Sequence, residues 1–260
     1  MNKVKIIIPI YRTELNQNEI MALDNNINKL SEHPIAFIIP ENLDISEISA
    51  KYPKVEIIRV SDEWLGTKNG IDGYNRMMMS EEFYRIFKDY EYIFICHIDS
   101  WIFRDEVNYW CDRGYDIVAP PWPKSKRFYF FPFKQILSSK IKKGRGEDHC
   151  REIVYYDHIG NGGLSLRKVA SCLMACQKYS QKINEYIQLS KSKPFYNEDI
   201  FFALEPKEFN YPDTQEAVFW GADIKPEMCL YLTKGQLPMG CHGYAHKRRR
   251  KHWEKHIPIK

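Results

Sequence analysis

The sequence contains no Cys-X-X-Cys pair, and that absence removes a zinc ribbon from consideration. Its seven cysteines, Cys96, Cys111, Cys150, Cys172, Cys176, Cys229 and Cys241, are odd in number, scattered and mostly set in apolar stretches. Such usage points to a reduced, cytoplasmic setting rather than a disulfide framework. No apolar run approaches the roughly 20 residues that span a bilayer. Met1 to Lys5 lead straight into a strand pattern with no signal-peptide core, so no leader is expected. Internal repeats and low-complexity tracts are also missing. The net charge of +4 is too small to specify a nucleic-acid partner, and no nucleic-acid motif accompanies it. What remains is a 260-residue chain, 44% hydrophobic and 14% aromatic, able to bury a sizeable core as one large domain.

The apolar residues fall into two periods. Lys5 to Tyr11, Ile35 to Ile39 and Val55 to Val60 are short β-branched runs, the pattern of strands buried on both faces. Ile20, Leu23, Ile27 and Leu30 form one stripe on a helix. A glycine-bearing loop, Gly66 to Gly73, precedes a helical stretch from about Asn75 to Phe87. A strand then ends at Asp99. Asp105 is placed to cap a short helix that Gly114 terminates, and Tyr115 to Pro121 is a further strand. This alternation predicts an α/β fold with a mostly parallel sheet flanked by helices. Residues 123–152, rich in Lys, Arg and Phe, read as an insertion or a lid. Beyond them, Leu166 to Ile187 and Asn197 to Leu204 read as helices, and Ala217 to Trp220 and Met228 to Leu232 as short strands.

Four places carry chemistry. The strand Tyr92 to Trp101 is dry until His97 and Asp99, which lie two apart and so face one side. In open α/β sheets ligands sit beyond the carboxyl ends of strands, where this pair would hold a metal or a diphosphate. Gly160-Asn161-Gly162-Gly163 lets backbone approach a ligand closely or makes a tight turn, with Ser165 placed to cap a following helix. No Lys-Ser/Thr follows the glycines, which excludes a P-loop. Asn197-Glu198-Asp199 is either ordinary helix-start chemistry or a general base aimed by its helix. His242 and His246, four apart among glycines, are ligands or loop residues. Two basic stretches stay open in meaning. Lys247 to Lys251, with Trp253, is a solvated tail or a contact with an anionic membrane surface. Arg127 to Phe131 is a core plug or a surface for sugar or lipid.

Taken in order, these sites resemble a GT-A glycosyltransferase, and more narrowly a family of bacterial GT-A-like proteins long catalogued as of unknown function and found with surface-polysaccharide genes. The resemblance runs from Ile8-Pro9-Ile10-Tyr11 to Gly240-Cys241-His242-Gly243. It implies one Rossmann-type GT-A domain over 1–260. Residues 1–122 would be the nucleotide-binding half, 153–246 the acceptor and catalytic half, and 247–260 a basic tail. It implies an inverting transferase that moves a hexose, galactofuranose among them, from a UDP-sugar donor to a hydroxyl of a glycan or lipid-linked glycan acceptor. Pro9, Tyr11, Arg12, Asn75 and Arg76 would hold the nucleotide, and Gly162 and Gly163 would line the donor sugar. Asp99 matches the last acid of the Asp-X-Asp motif, whose metal, Mn2+ or Mg2+, bridges the donor diphosphate. His97 replaces the first acid, and His242 matches the late histidine of the metal shell. Asp199, with Glu198 beside it, matches the base. The implied location is the cytoplasm, with a peripheral contact at the inner face of the plasma membrane through 247–253. The competing reading is a non-catalytic GT-A-like module that binds glycan or a partner.

Overall fold

The computed structural model describes residues 2–144, 154–193 and 195–260. A central six-stranded sheet is built from β1 (Asn2–Pro9), β2 (Ile35–Pro40), β3 (Glu56–Val60), β4 (Tyr90–Cys96), β6 (Ile117–Val118) and β7 (Leu164–Lys168). Their spatial order is β3-β2-β1-β4-β7-β6. The first four strands pair in parallel, whereas β7 runs antiparallel to both β4 and β6. A smaller sheet joins β5 (Ser100–Ile102), β8 (Gly221–Ala222) and β9 (Gly240–His242) in the order β5-β9-β8.

The continuous apolar run of β4 has a direct explanation. Ile93 and Ile95 enter a core beneath one face with Met77, Phe83 and Phe201. Tyr92, Phe94 and Cys96 enter a second core on the other face with Trp110, Leu164 and Trp220. With both faces covered, Tyr92 to Cys96 are buried and polar alternation disappears there. Phe94 and Trp220 meet edge to face, 4.9 Å between ring centroids.

Several expected elements differ in kind. Ala217 to Trp220 and Met228 to Leu232 lie in helices, Thr214–Trp220 and Pro226–Leu232. Local start signals decide both. Asp213 accepts a hydrogen bond from the Glu216 N–H, and Pro226 stands in the first turn, where its missing N–H costs nothing. The run from Leu166 to Ile187 is not one helix. Pairing with β4 draws Leu164–Lys168 into the sheet, and two helices follow, Val169–Lys178 and Ser180–Ser190. Ser165 is therefore a strand residue, and its hydroxyl bonds the Gly162 carbonyl instead of capping a helix. The stretch from Asn75 to Phe87 divides into Gly70–Met78 and Glu81–Ile86, the second capped by Ser80. β3 is mostly exposed, because it lies at the end of the sheet order. In the expected insertion, a 3-10 turn (Lys126–Tyr129) and a helix (Phe133–Gly144) are present. Residues 145–152 of that segment lie outside the described residues.

Replacing Phe94 by Ala should lower the free energy of unfolding by about 3–5 kcal/mol, since the cavity opens against Trp220 and sheet strands that cannot close over it. Equilibrium denaturation measures it.

Candidate active site

β4 ends at Cys96, and the chain continues through His97, Ile98 and Asp99 before β5 starts. His97 stays attached to the sheet through its N–H, which donates to the Gly163 carbonyl at 2.8 Å. β9 lies antiparallel to β5 with Ser100 opposite His242. That register brings the late histidine to the same point. One ligand atom from each of His97, Asp99 and His242 lies within 4.8 Å of the others.

Further partners orient the two rings. His97 Nε2 is 2.9 Å from the Tyr74 hydroxyl, which leaves Nδ1 toward the cluster. His242 Nδ1 is 3.2 Å from the buried Asp223 carboxylate, and its Nε2 is 3.2 Å from Asp99. Holding one ring nitrogen while the other faces a common centre is the arrangement that metal-ligating histidines use. Gly163 forms the wall between them. A β-carbon there would overlap His242 Nε2 and stand 2.8 Å from His97 Nδ1. Two imidazoles and one carboxylate, aimed inward and kept clear by a glycine, fit a divalent transition metal such as Mn2+.

Charge is distributed unevenly in this group. Burial, then the neighbouring His242, pushes His97 down to about 4. His242 is opposed by burial, but Asp99 and Asp223 outweigh it and raise the ring to about 10. Desolvation opposes ionisation of Asp99 only in part, because its side chain is half exposed, and His242 holds it well below the ordinary carboxylate range. Proton affinity is thus low on one imidazole and high on the other.

The glycine turn leads from this cluster to a second group. A β-carbon on Gly162 would collide with the Glu198 carboxylate and stand 3.2 Å from Arg167. Glu198 and Arg167 are both buried and form an ion pair at 2.7 Å. Arg167 also bonds Ser165 and Tyr84. Asp199, the next residue, is half-buried in a crevice lined by Asn161, Gly162 and Arg167. Burial, followed by repulsion from Glu198, raises its carboxyl to about 7. Asn75 fixes the start of this helix, Glu198–Leu204, by donating to Asn197 and accepting from the Glu198 N–H.

A cleft of about 360 Å3 opens beside His97 and Asp99, lined also by Pro9, Tyr11, Leu65 and Tyr74. Of the residues expected at the nucleotide, Pro9, Tyr11, His97 and Asp99 meet there. Arg12, Asn75 and Arg76 do not line it. Arg12 pairs with Glu19 at 2.6 Å, Asn75 is buried under the Glu198–Leu204 helix, and Arg76 is exposed. His246 is also outside the cluster, exposed and at the start of the helix Lys247–Trp253. That helix corrects the reading of the tail. Trp253 is fully buried, and Arg249 turns inward to Asp223 at 2.5 Å and to the His242 carbonyl at 3.1 Å.

Tyr74 and Asp223 escaped the sequence reading. Neither belongs to a motif, and each matters only because distant segments meet. A lone buried acid in Gly-Ala-Asp was the one signal for Asp223.

Residues 54–242 match the profile of the family described as "Protein of unknown function (DUF5672)". The chain belongs to this family. No curated protein matches it significantly. Solved structures resemble this DUF5672 protein in fold. The galactosyltransferase LgtC, solved with donor and acceptor sugar analogues, aligns with a TM-score of 0.56 and 13% identity over 92% of this chain and 86% of its own. Mouse xyloside xylosyltransferase 1 gives 0.51 and 10% identity, covering 93% of this chain and 97% of its own. Core-mannan synthase A from Aspergillus fumigatus, solved in an Mn/GDP form, gives 0.50 and 11% over 78% and 69%. The DUF5672 chain therefore has the fold of the GT-A glycosyltransferases.

Two neighbouring acids should respond oppositely to neutralisation. Glu198→Gln strands the buried Arg167 charge and should destabilise by about 3–5 kcal/mol. Asp199 binds its proton more tightly folded, at about 7, than at its ordinary 3.8. Its contribution turns unfavourable as pH rises past the lower value and is complete above the upper one. Asp199→Asn should therefore raise the melting temperature at pH 8 and leave it nearly unchanged at pH 4, as calorimetry at the two pH values would show.

Proposed function

We propose that this protein is a metal-assisted glycosyltransferase that moves a hexose, galactofuranose among the candidates, from a UDP-sugar to a hydroxyl of a surface glycan or its lipid-linked precursor. The single observation carrying this reading is the His97–Asp99–His242 cluster, open to a cleft at the carboxyl ends of β1 and β4 and joined by two glycines to a carboxyl poised near neutrality. The folds of LgtC, xyloside xylosyltransferase 1 and core-mannan synthase A support the sugar-transfer class.

In this reading Pro9 and Tyr11 border the nucleotide, and His97, Asp99 and His242 hold a divalent metal at the diphosphate. Bound there, a metal supplies positive charge for the departing diphosphate. Gly162 and Gly163 border the donor sugar by backbone alone, their side-chain space being taken by Glu198 and the two imidazoles. Asp199 takes the proton of the incoming hydroxyl, a task for which a pKa close to the working pH is well matched. Glu198 is occupied by Arg167, so it positions the helix and lifts the pKa of Asp199 rather than accepting a proton itself. A base on the face opposite the leaving group gives inversion at the anomeric carbon. Residues 1–122 then serve the nucleotide and 153–246 the acceptor, in a cytoplasmic enzyme.

Asp199→Asn should cut transfer by about 10²–10⁴-fold with nucleotide affinity kept, and wild-type kcat/KM should climb with pH to a plateau above about 7, as Asp199 deprotonates. Asp99→Ala should weaken nucleotide binding in the presence of Mn2+, read by calorimetry. A product of retained anomeric configuration by NMR would remove Asp199 from the base role. The replacement of an acid by His97 favours a second reading, a binding module without turnover. Release of UDP from UDP-sugars with no acceptor present separates the two.

A further inference from the structure

The segment between Pro123 and Gly144 contains seven basic residues, Lys124, Lys126, Arg127, Lys134, Lys140, Lys142 and Lys143, and no acid. Its aromatic side chains do not plug the core. Phe131 is 77% exposed, Phe130 56%, Ile136 45% and Phe133 44%. Lys126 and Arg127, adjoining them, are exposed as well. Tyr231, on the helix Pro226–Leu232, extends this face, its ring 4.3 Å from Lys126 Nζ and itself half exposed. Three phenylalanines in four positions, left in water beside cations, form a contiguous surface that folding has not used.

We propose that this face seats the protein on an anionic lipid bilayer. The phenylalanines and Ile136 would enter the headgroup and acyl boundary, while Lys126 and Arg127 meet lipid phosphates. Charge complementarity selects the partner, because Lys124 is already paired with Asp157 while the exposed Lys126 and Arg127 beside the apolar centre repel a second copy of this face and attract a negative surface. The contact is peripheral, since among the described residues no helix is long and apolar enough to cross a membrane. It replaces the basic tail in that role. The tail's only tryptophan is buried and Arg249 is held by Asp223, so the tail lacks the apolar partner that makes a basic stretch a stable anchor. This assignment stands independently of any sugar-transfer chemistry.

Vesicle co-sedimentation tests it on the full chain. Vesicles of mixed phosphatidylglycerol and phosphatidylcholine should retain the protein about tenfold or more better than phosphatidylcholine alone. The binding should weaken as salt rises from about 0.1 to 1 M. Phe131→Ser with Phe133→Ser, and separately Lys126→Glu with Arg127→Glu, should each lower partitioning about tenfold at an unchanged melting temperature. Absence of binding, equal binding to neutral vesicles, or full retention by both folded variants would overturn the proposal. So would a concentration-dependent dimer in lipid-free sedimentation that the phenylalanine variant abolishes, because the face would then belong to a second copy. Nucleotide affinity of the same variants, expected unchanged, keeps this result separate from the fate of the cleft.

Discussion

Arg167 and Glu198 form an ion pair sealed from water, one partner on β7 and the other at the first turn of the Glu198–Leu204 helix. A buried charge without its partner is too costly to keep, so each residue dictates where the other's element lies. The consequence reaches Asp199, whose direction is set by the helix start and whose proton affinity is raised first by burial, then by Glu198, and lowered in part by Arg167. It reaches the glycine turn too, because β7 begins where Gly163 ends and continues the pairing of β4 that suspends His97. The atoms of the His97–Asp99–His242 cluster and the Asp199 carboxyl are thereby tied to one sheet frame rather than to separate loops.

A second chain of contacts steadies the same frame from the other side. Arg249 pairs with Asp223, Asp223 faces His242, and His242 faces Asp99. Cation and anion alternate along this line, which raises the proton affinity of His242 despite burial and lowers that of Asp99. The basic helix Lys247–Trp253 is thus part of the site's support, anchored by a tryptophan in the core. Its remaining exposed basic residues are surface in the ordinary sense.

Legibility in the sequence followed locality. The strands Ile35–Pro40 and Tyr90–Cys96 were plain because sheet burial on both faces erases polar residues, and His97 and Asp99 stood out against that background. The DUF5672 match and the GT-A fold agree with what the ordered motifs implied. The helices Thr214–Trp220 and Pro226–Leu232 were misread because short apolar runs carry no reliable period, and Asp213 and Pro226, which start them, were passed over. Strand β7 was hidden because its residues suit a helix until β4 and β6 offer hydrogen bonds on both edges. Tyr74, Asp223 and the inward turn of Arg249 depend on pairings across many residues, which spacing along the chain cannot report.

The two adjoining glycines have a further consequence. Position 162 is closed by Glu198 and position 163 by two imidazoles, so neither tolerates a side chain without dismantling an ion pair or the histidine cluster. On the cleft rim from Leu65 to Ile71, by contrast, Ile71 is 61% exposed, and a change of side chain there disturbs neither the ion pair nor the cluster.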